Sequence, residues 1–372
     1  MRILRVTSDL YPYVVGGLGV HAREMSKSQV KLGHEVTILT TSMADRMPDN
    51  LDGFRVACFK NNAKLLGNTI SLGLLFKLFR IRKSYDIIHA HSHLFFSTNV
   101  CALIRKIGSS PLVITNHGIM SASAPDWFNL LYLKTIGRWT LNTADRIICY
   151  TEEEKENLIS ILHIPESKIA VIPNGINTKQ FHPRAGDHAA DTINLLWVGR
   201  FVKGKGVEYI VQAMDILVKE IPSLHLTLIG EGPERDCIRE LIESLELDNN
   251  INIIDFVPYD EMPWFFQDSD IFVLPSLHEG VPRTALEAMS CELPVVISDL
   301  PHLRDLIDGG GVMFPKKDVQ ALVDHLRVLI FDDDKRTKMG RNAREKIVWE
   351  YSWERIVART LNVYQEVISS AH

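Results

Sequence analysis

The sequence predicts an α/β fold of two doubly wound, Rossmann-like domains. Short apolar segments alternate with longer amphipathic segments along most of the 372 residues, which is typical of βαβ units. Several short segments are apolar on both alternating faces, as expected of parallel strands covered by helices on each side. The strand series starts again near residue 193, after the polar segment 174–192. Ligands of such sheets bind at the carboxyl ends of the strands, so we expect a site in a cleft between the domains.

The strands and helices alternate in the order that two such domains require. The predicted strands are RILRVTS (2–8), EVTILTT (35–41), DIIHAH (86–91), LVITNH (112–117), RIICYT (146–151), IAVIPN (169–174), INLLWVG (193–199), LHLTLIG (224–230), INIIDF (251–256), IFVLPS (271–276) and PVVISD (294–299). The clearest helical patterns are 20–33, 207–221, 233–247 and 351–370. The last of these helices can pack on either domain.

Composition is that of a globular protein and gives few functional clues. Hydrophobic residues make up 46% and charged residues 23% of the chain, which excludes a disordered or fibrous class. No apolar run is long enough to cross a membrane, and no signal peptide is recognised. The five cysteines are far apart, which predicts reduced thiols and a cytoplasmic protein.

Charge is distributed unevenly along the chain. The net charge is −5, but residues 1–183 carry 21 lysines and arginines against 14 acidic residues, whereas residues 184–372 carry 20 against 32. A basic half joined to an acidic half predicts that the two halves meet different partners. Nucleic acid is not expected, because the pI of about 6.3 is far from that of a polyanion-binding protein.

Two features of the first half are candidates for ligand contacts. Gly16 and Gly17 follow the first strand and precede a helix predicted from Val20, where backbone amides can approach an anion; a plain tight turn is the alternative. Alternation places His89, His91 and His93 on one strand face. A metal site is conceivable there, but buried histidines with satisfied hydrogen bonds are the preferred interpretation.

His117 differs from these three histidines because it ends the next predicted strand and precedes a glycine. It is therefore expected to face the cleft, where its ring would hydrogen-bond a neutral polar ligand.

The second half carries two further motifs. Arg200, Lys203 and Lys205 follow its first strand and are spaced by glycines, which suits phosphate binding; a solvated basic turn is the alternative. The segment PSLHEGVPRTALEAMS (275–290) follows another strand and predicts a helix from Pro282 or Arg283. Glu279 then precedes the helix and Glu287 lies inside it. Carboxylates beside a helix N-terminus suit a nucleotide sugar, whereas two surface glutamates are the alternative.

Together these motifs resemble the retaining nucleotide-sugar glycosyltransferases of the GT-B fold, family 4. The resemblance covers nearly the whole chain. It rests on the segments 12–40, 86–93, 116–119, 144–158, 169–183, 198–206, 228–233, 279–287 and 351–356, in this order. It implies that the final helix crosses back to the N-terminal domain. The expected domains are therefore 1–183 with 352–372, which binds the acceptor, and 184–351, which binds the donor.

The resemblance also implies roles for individual residues. The catalytic set is His117 at the donor sugar, Arg200 and Lys205 at the departing diphosphate, and Glu279 at the sugar hydroxyls. The donor-binding set is Gly16, Gly17, Gly230, Phe256, Val257, Gly280, Val281, Arg283, Thr284 and Glu287, with Glu287 at the ribose. No metal and no cofactor are expected, and the donor is a UDP-, GDP- or ADP-sugar.

The sequence departs from the family pattern in places that affect the donor. Pro282 and Glu292 stand where glycine is common, Asp255 replaces a glycine of the base loop, and 299–305 replaces a glycine pair.

Charge on the leaving diphosphate is expected to be stabilised by Arg200, Lys205 and the helix start. Because no carboxylate nucleophile is evident, we expect front-face transfer with retention.

The basic half suggests the acceptor. Residues 64–83 contain five cations and no acidic residue, interleaved with leucines and phenylalanines, as in a helix that lies on an anionic membrane. Arg105, Lys106 and the aromatic stretch from Trp127 extend this surface. A core-facing helix with a basic rim is the alternative. Peripheral attachment to the cytoplasmic face of the membrane would suit a lipid-linked or phosphorylated acceptor.

The expected function is hexosyl transfer from a nucleotide sugar to a glycolipid, lipid-linked or polysaccharide acceptor. Alternatives are a cytosolic sugar or sugar-phosphate transferase that makes disaccharides, and a nucleotide-sugar-binding protein that has lost activity. An epimerase and a dinucleotide oxidoreductase fit the motifs less well.

Overall fold

The computed structural model describes residues 1–13, 17–41, 49–65, 68–108, 110–120, 124–185 and 192–370. The chain divides into a first unit, Met1–Gly175 with Trp353–His372, and a second unit, Ile176–Ser352. The division falls earlier than the predicted boundary after residue 183. Ile176 and Phe181 are fully buried in the core of the second unit, and the Phe181 carbonyl accepts a hydrogen bond from Arg344. Buried apolar contacts therefore assign this segment to the second unit although it is polar on average.

The first unit is built on a mostly parallel, eight-stranded sheet. Its strands are β1 (Arg2–Val6), β2 (Glu35–Thr40), β3 (Asn50–Leu51), β4 (Phe54–Cys58), β5 (Ala63–Leu65), β6 (Asn68–Ile70), β7 (Ile87–His91), β8 (Leu112–Thr115), β9 (Arg146–Cys149) and β10 (Ile169–Val171). The order is β10-β9-β8-β7-β1-β2-β4-β3, with β5 and β6 in a separate hairpin. In the main sheet β3 pairs antiparallel with β4, and the other pairs among the described strands are parallel. The strands that follow β1 are added first on its β2 side and then, from β7 onward, on its other side, so the boundary between β1 and β7 is a topological switch point.

Helices cover both faces of this sheet. They are α1 (Gly17–Lys31), α2 (Leu72–Ile81), α3 (Phe96–Lys106), α4 (Asp126–Tyr132), α5 (Arg138–Thr143) and α6 (Glu152–Leu162), with a π-helical turn, Leu133–Gly137, between α4 and α5. One apolar core contains side chains of α2, α3, α5 and α6. The other contains side chains of α1 and of the C-terminal segment from Trp353.

The second unit has a six-stranded, wholly parallel sheet. Its strands are β11 (Asn194–Val198), β12 (His225–Ile229), β13 (Ile251–Ile254), β14 (Ile271–Leu274), β15 (Val295–Ser298) and β16 (Gly311–Phe314), in the order β13-β12-β11-β14-β15-β16. Its helices are α7 (Val207–Leu217), α8 (Arg235–Ser244), α9 (Met262–Gln267), α10 (Arg283–Ser290), α11 (Arg304–Ile307), α12 (Val319–Phe331) and α13 (Asp333–Lys346). The switch point lies between β11 and β14.

The final helix, α14 (Trp353–Ser370), packs in the first unit, as the resemblance implied. Trp353 and Tyr364 are buried in the same core as Met25 of α1. The GT-B architecture is thereby confirmed, as two doubly wound α/β units with the chain returning to the first. Among the described helices, none is long and apolar enough to span a bilayer.

Candidate active site

Two loops of the second unit meet at its switch point. The loop after β11 contains Lys205 and Gly206, and the loop after β14 begins at Pro275. A Cβ on Gly206, whose φ is +67°, would lie 2.1 Å from the Pro275 carbonyl oxygen, and the Leu277 amide donates to the Gly204 carbonyl at 2.8 Å. The two loops therefore pack backbone to backbone, which brings the basic motif beside the segment that carries Glu279.

A third loop, after β12, joins this edge through Gly230. Its φ is +146°, and a Cβ there would lie 1.8 Å from the Gly199 carbonyl oxygen. The Gly230 amide donates to the Ile254 carbonyl at 2.9 Å, which ties the loop to the end of β13. Glycine at this position thus allows three consecutive loop backbones to approach one another at the carboxyl edge of the sheet.

Lys205 and Glu279 form an ion pair between these loops. The Lys205 Nζ lies 2.5 Å from Glu279 Oε1, and the Ser276 hydroxyl donates to the same oxygen at 2.8 Å. Side-chain exposure is only 23% for Lys205 and 10% for Glu279, so both groups are held in place. An ammonium has three N–H donors, which leaves Lys205 able to donate to a bound anion while it stays on Glu279.

Glu287 is the second carboxylate of the motif and is buried in α10. Burial raises the pKa of Glu287 to about 7, against the opposing effects of Arg283 and a hydrogen bond from Tyr259. The Arg283 Nε lies 3.6 Å from Glu287 Oε1, and an Arg283 Nη donates to the Tyr259 hydroxyl at 2.6 Å. These three side chains form a second polar group next to the start of α10.

Helix α10 begins at Arg283, after Pro282, as the sequence predicted. The amides of Arg283 and Thr284 stand in its first turn, where backbone donors have no acceptor inside the helix. Gly280 is exposed, and a Cβ there would touch nothing within 4 Å, whereas Val281 packs against the core. Pro282 removes one amide donor from this approach to the helix.

Among the described residues, the remaining predicted donor residues of the second unit make no hydrogen bond or ion pair with the Lys205–Glu279 pair or with the polar group around Glu287. Arg200 is exposed and makes no side-chain hydrogen bond or ion pair within the described residues. Phe256 is 56% exposed, and Val257 is partly buried against the core. Asp255, which replaces the expected glycine of the base loop, pairs with Arg235 of α8. This ion pair ties the loop before Phe256 to a neighbouring helix.

His117 lies in the first unit, beyond the end of β8. Its Nε2 lies 3.0 Å from His91 Nδ1, and its Nδ1 lies 3.0 Å from the Tyr150 hydroxyl. Burial lowers the pKa of His117 to about 3, so the ring is neutral at physiological pH. The His21 ring from α1 packs edge-on against it at 5.4 Å between centroids.

The glycine motif is only partly described. Gly17 is exposed and is the first residue of α1, so the helix begins earlier than the predicted Val20. Gly19 and Val20 are buried within this first turn, and their packing fixes the helix from its start. Gly16 lies outside the described residues.

The three histidines near the end of β7 do not share one environment. His89 and His91 lie on one face and both contact the Arg5 Nη1. The strand ends at His91, so the alternation does not continue to His93, whose Nδ1 bonds the Asn116 side chain. Within the described ranges, no group of three or more metal-ligating side chains is placed to hold an ion.

Sequence reasoning missed the residues that position the predicted ones. Tyr259 and Ser276 contact the two glutamates, while Arg5, His21 and Tyr150 surround the histidines. Except for Ser276, these residues contact the predicted ones from segments that are far apart in the chain. Ser276 alone was within reach of a motif-based argument, since it stands three residues before Glu279 in the same loop.

The structure shows the surroundings of two departures from the family pattern, Glu292 and the loop 299–305. Glu292 follows α10 with φ at +64°, in the left-handed region that favours glycine. In the loop 299–305, Arg304 pairs with Asp299 at 2.9 Å, and the His302 ring lies 3.2 Å from the Gly280 carbonyl oxygen. This loop therefore reaches the segment before α10.

Two family models match the chain in succession. Residues 15–180 match the model described as Glycosyltransferase Family 4, and residues 178–346 match the model described as Glycosyl transferases group 1. The two matches follow the two units of the structure closely.

Individual proteins resemble the chain over almost its whole length. An uncharacterized glycosyltransferase of Methanocaldococcus jannaschii is 28% identical, covering 98% of each chain. The UDP-Gal:alpha-D-GlcNAc-diphosphoundecaprenol alpha-1,3-galactosyltransferase of Escherichia coli is 28% identical, covering 88% of this chain and 87% of its own. Among solved structures, Anabaena Alr3699/HepE in complex with UDP-glucose superposes with a TM-score of 0.77 at 20% identity, covering 98% of this chain and all of its own.

Proposed function

The chain belongs to the family 4 glycosyltransferases of the GT-B fold, and we propose that it transfers a hexose, with retention, from a nucleotide diphosphate sugar to a lipid-linked acceptor. The observation that carries this proposal is the meeting of Lys205, Glu279 and the start of α10 at the switch point of the second unit. A cation and free helix amides suit a diphosphate, and the nearby carboxylates suit sugar hydroxyls.

In this proposal each part of the second unit has a separate task. Lys205, Arg200 and the amides of Arg283 and Thr284 neutralise the charge that grows on the diphosphate as the glycosidic bond breaks. Glu279 accepts from the sugar hydroxyls, and Glu287 accepts from the ribose. Five further residues of the second unit are proposed to line the donor: Gly230, Gly280, Val281, Phe256 and Val257. In the first unit, the residues proposed for its phosphate and sugar are Gly16, Gly17 and His117.

The proton balance of the reaction does not call for a protein base. The acceptor hydroxyl attacks the anomeric carbon on the face that the diphosphate leaves, and its proton passes to a leaving phosphate oxygen. Because cationic side chains and amides can carry the phosphate charge, the proposed reaction uses no metal ion. The neutral His117 ring, with a pKa of about 3, is a poor base at physiological pH, which supports this assignment.

A lipid-linked acceptor is supported by the outer surface of α2. Leu74 and Leu78 of this helix are fully buried, whereas Leu72 and Phe76 on its other side are 51% and 69% exposed. The core-facing alternative thus accounts for four of the seven apolar residues of α2, which pack in or against the core, and the other three are exposed. Lys77, Arg80 and Lys83 are exposed beside them, giving the mixed surface of a helix that binds an anionic bilayer.

The segment α4–α5 also has exposed apolar side chains, whereas the charge of Arg105 is not available to a membrane. Trp127 is 68% and Leu131 57% exposed, and α5 packs in the same apolar core as α2. Arg105 is paired with Asp145 at 2.7 Å, so its charge is largely neutralised. The E. coli relative that is named for a diphosphoundecaprenol acceptor favours the same acceptor class.

The donor is tested by binding rather than turnover. A thermal-shift panel of UDP-, GDP- and ADP-sugars should give one stabilising nucleotide, and at 100 times Kd the expected stabilisation is about 2.7 kcal/mol. We expect UDP, because both the E. coli relative and the Anabaena structure are named with it. Stabilisation by none of the three would contradict the proposal, whereas binding without turnover would favour the alternative of an inactive binding protein.

A further inference from the structure

An arginine is fully buried in the middle of the first unit's sheet. Arg5 of β1 is 0% exposed, and no acidic side chain pairs with it within the described part of the chain. Its Nε donates to the Ser26 hydroxyl at 2.8 Å, and Nη2 donates to the side-chain amide oxygen of Gln29 at 2.7 Å. Burying a cation is costly unless its donors are used, so this placement calls for an explanation beyond packing.

The other Nη of Arg5 begins a chain of hydrogen bonds whose direction is fixed. A guanidinium can only donate, so His91 Nε2, at 2.8 Å, must accept. Burial lowers the pKa of His91 well below its usual range, and a neutral imidazole has one donor and one acceptor nitrogen. His91 Nδ1 therefore carries the proton and donates to His117 Nε2 at 3.0 Å.

The same logic continues through His117. Its Nε2 accepts from His91, so its proton is on Nδ1, which donates to the Tyr150 hydroxyl at 3.0 Å. The neighbouring His89 fits the scheme independently. Its Nδ1 accepts from Tyr364 and from Arg5, and its Nε2 donates to Thr115 at 2.7 Å. Every nitrogen of the three rings then has a consistent role.

We propose that Arg5 is a positioning residue for His117, and that it acts through His91 to hold the His117 ring as the neutral tautomer protonated on Nδ1. The inference rests on the proposed function only for the contact between His117 and the donor sugar. With both nitrogens engaged inside the unit, His117 offers the sugar a fixed neutral ring and cannot take a proton from the acceptor.

The tautomer can be measured without any substrate. Long-range ¹⁵N–¹H correlation spectra of the full chain, labelled in the histidine rings, report which nitrogen is protonated, and His117→Gln assigns the His117 signals. We expect a protonated Nδ1 and a bare Nε2. A His117 protonated on Nε2, or an equal mixture of tautomers, would overturn the proposal.

Two variants test the dependence on Arg5. Arg5→Met removes the first donor, and His91→Leu cuts the chain while leaving Arg5 on Ser26, Gln29 and His89, so a folded protein is available even if Arg5→Met fails to fold. Each should redistribute the His117 proton between its nitrogens. The matched control is Arg2→Met on the same strand, because Arg2 is exposed and pairs with Asp86 rather than with the histidines. An unchanged His117 spectrum in folded Arg5→Met and His91→Leu would overturn the proposal.

A coupling measurement separates positioning from general stability. Arg5→Met should lower kcat/KM about tenfold in the wild type and add no further loss in a His117→Ala background, since residues of one network are not additive. Equal losses in both backgrounds would contradict the role of Arg5. If His117→Ala has full activity while the spectra show the expected tautomer, the proposed sugar contact fails and the tautomer assignment stands.

Discussion

Burial and charge act on Glu287 in opposite directions. Desolvation raises its pKa to about 7, while Arg283 and Tyr259 act to lower it. Because the folded pKa lies above the usual value for a glutamate, the protonated form dominates below pH 7 and the carboxylate above it. The two ribose hydroxyls both need acceptors, so the carboxylate is the form that suits the proposed contact.

Donor affinity should therefore fall as the pH is lowered through about 7. If only the carboxylate binds, Kd for the nucleotide sugar should rise about tenfold between pH 8 and pH 6, following the fraction of competent protein. Calorimetric titration with the intact nucleotide sugar avoids the titration of a terminal phosphate. Glu287→Gln should bind more weakly and lose this pH dependence, and a wild-type Kd that is constant over the range would contradict the assigned role.

Lys205 should contribute to turnover more than to folding. Lys205→Ala should lower kcat about 100-fold or more, the loss typical of removing one group that stabilises a developing anion. Arg200→Ala should have a similar effect, because it is expected to meet the same diphosphate. Steady-state kinetics with the donor found in the binding panel measures both.

The matched control is Lys203→Ala. Lys203 is exposed in the same loop and has the same charge, but it makes no ion pair with Glu279. The kcat of Lys203→Ala should be within a few-fold of the wild type, because the substitution leaves the ion pair of Lys205 with Glu279 in place. Equal losses in Lys203→Ala and Lys205→Ala would show that loop charge, rather than the placed cation, carries the effect.

At the scale of elements, α10 shows why some site features are predictable. Pro282 fixes φ and lacks an amide proton, which suits the position before a helix, and the helix begins at the next residue. The residues around position 282 were therefore sufficient to predict where this helix begins. The neighbouring residues were not sufficient for Arg5, whose position near the N-terminus gives no sign that a strand, a helix and two histidines will enclose its side chain.

Strands were predictable for a similar reason. Those with strong β-branched runs, such as β14 and β15, are present close to the predicted limits. The strands β3, β4, β5, β6 and β16 were missed, because segments of two to five residues are too short for a period to show clearly. Their pairing depends on neighbouring strands rather than on their own sequence.

Helix α2 is the element that tests membrane binding. The protein should sediment with anionic vesicles and not with neutral ones, and this binding should weaken as salt is raised. Lys77→Gln should reduce the partition coefficient about fivefold, since one basic residue near such a surface contributes about 1 kcal/mol. Phe76→Ser should reduce it as well, because it removes an exposed apolar side chain.

Trp264→Ser provides the matched control for this experiment. Trp264 is 60% exposed, close to the value for Phe76, but it lies in the second unit. Its loss should leave vesicle binding unchanged. Absence of sedimentation with both vesicle types would exclude the membrane surface, and an equal reduction in Trp264→Ser would show that the binding is not specific to α2.

At the scale of the whole molecule, motif order carried the prediction of the fold. Two strand series, each with a chemical motif after its switch-point strands, predicted two doubly wound units, and the structure has them. The boundary was predicted less well, because the polarity of 174–192 concealed Ile176 and Phe181, which are fully buried. The mean polarity of a segment does not reveal two buried apolar side chains within it.

The central claim, that the protein transfers a hexose from a nucleotide sugar with retention, is tested most directly by following the anomeric carbon. The proton NMR spectrum of the nucleotide sugar, incubated with the protein and methanol but no natural acceptor, distinguishes hydrolysis and transfer from binding alone. Methanol is a surrogate acceptor whose glycoside cannot change its anomeric form. The proposal predicts slow consumption of the donor, a methyl glycoside with the donor's anomeric configuration, and loss of both in Lys205→Ala. A donor that binds but is never consumed, or a glycoside of inverted configuration, would contradict it.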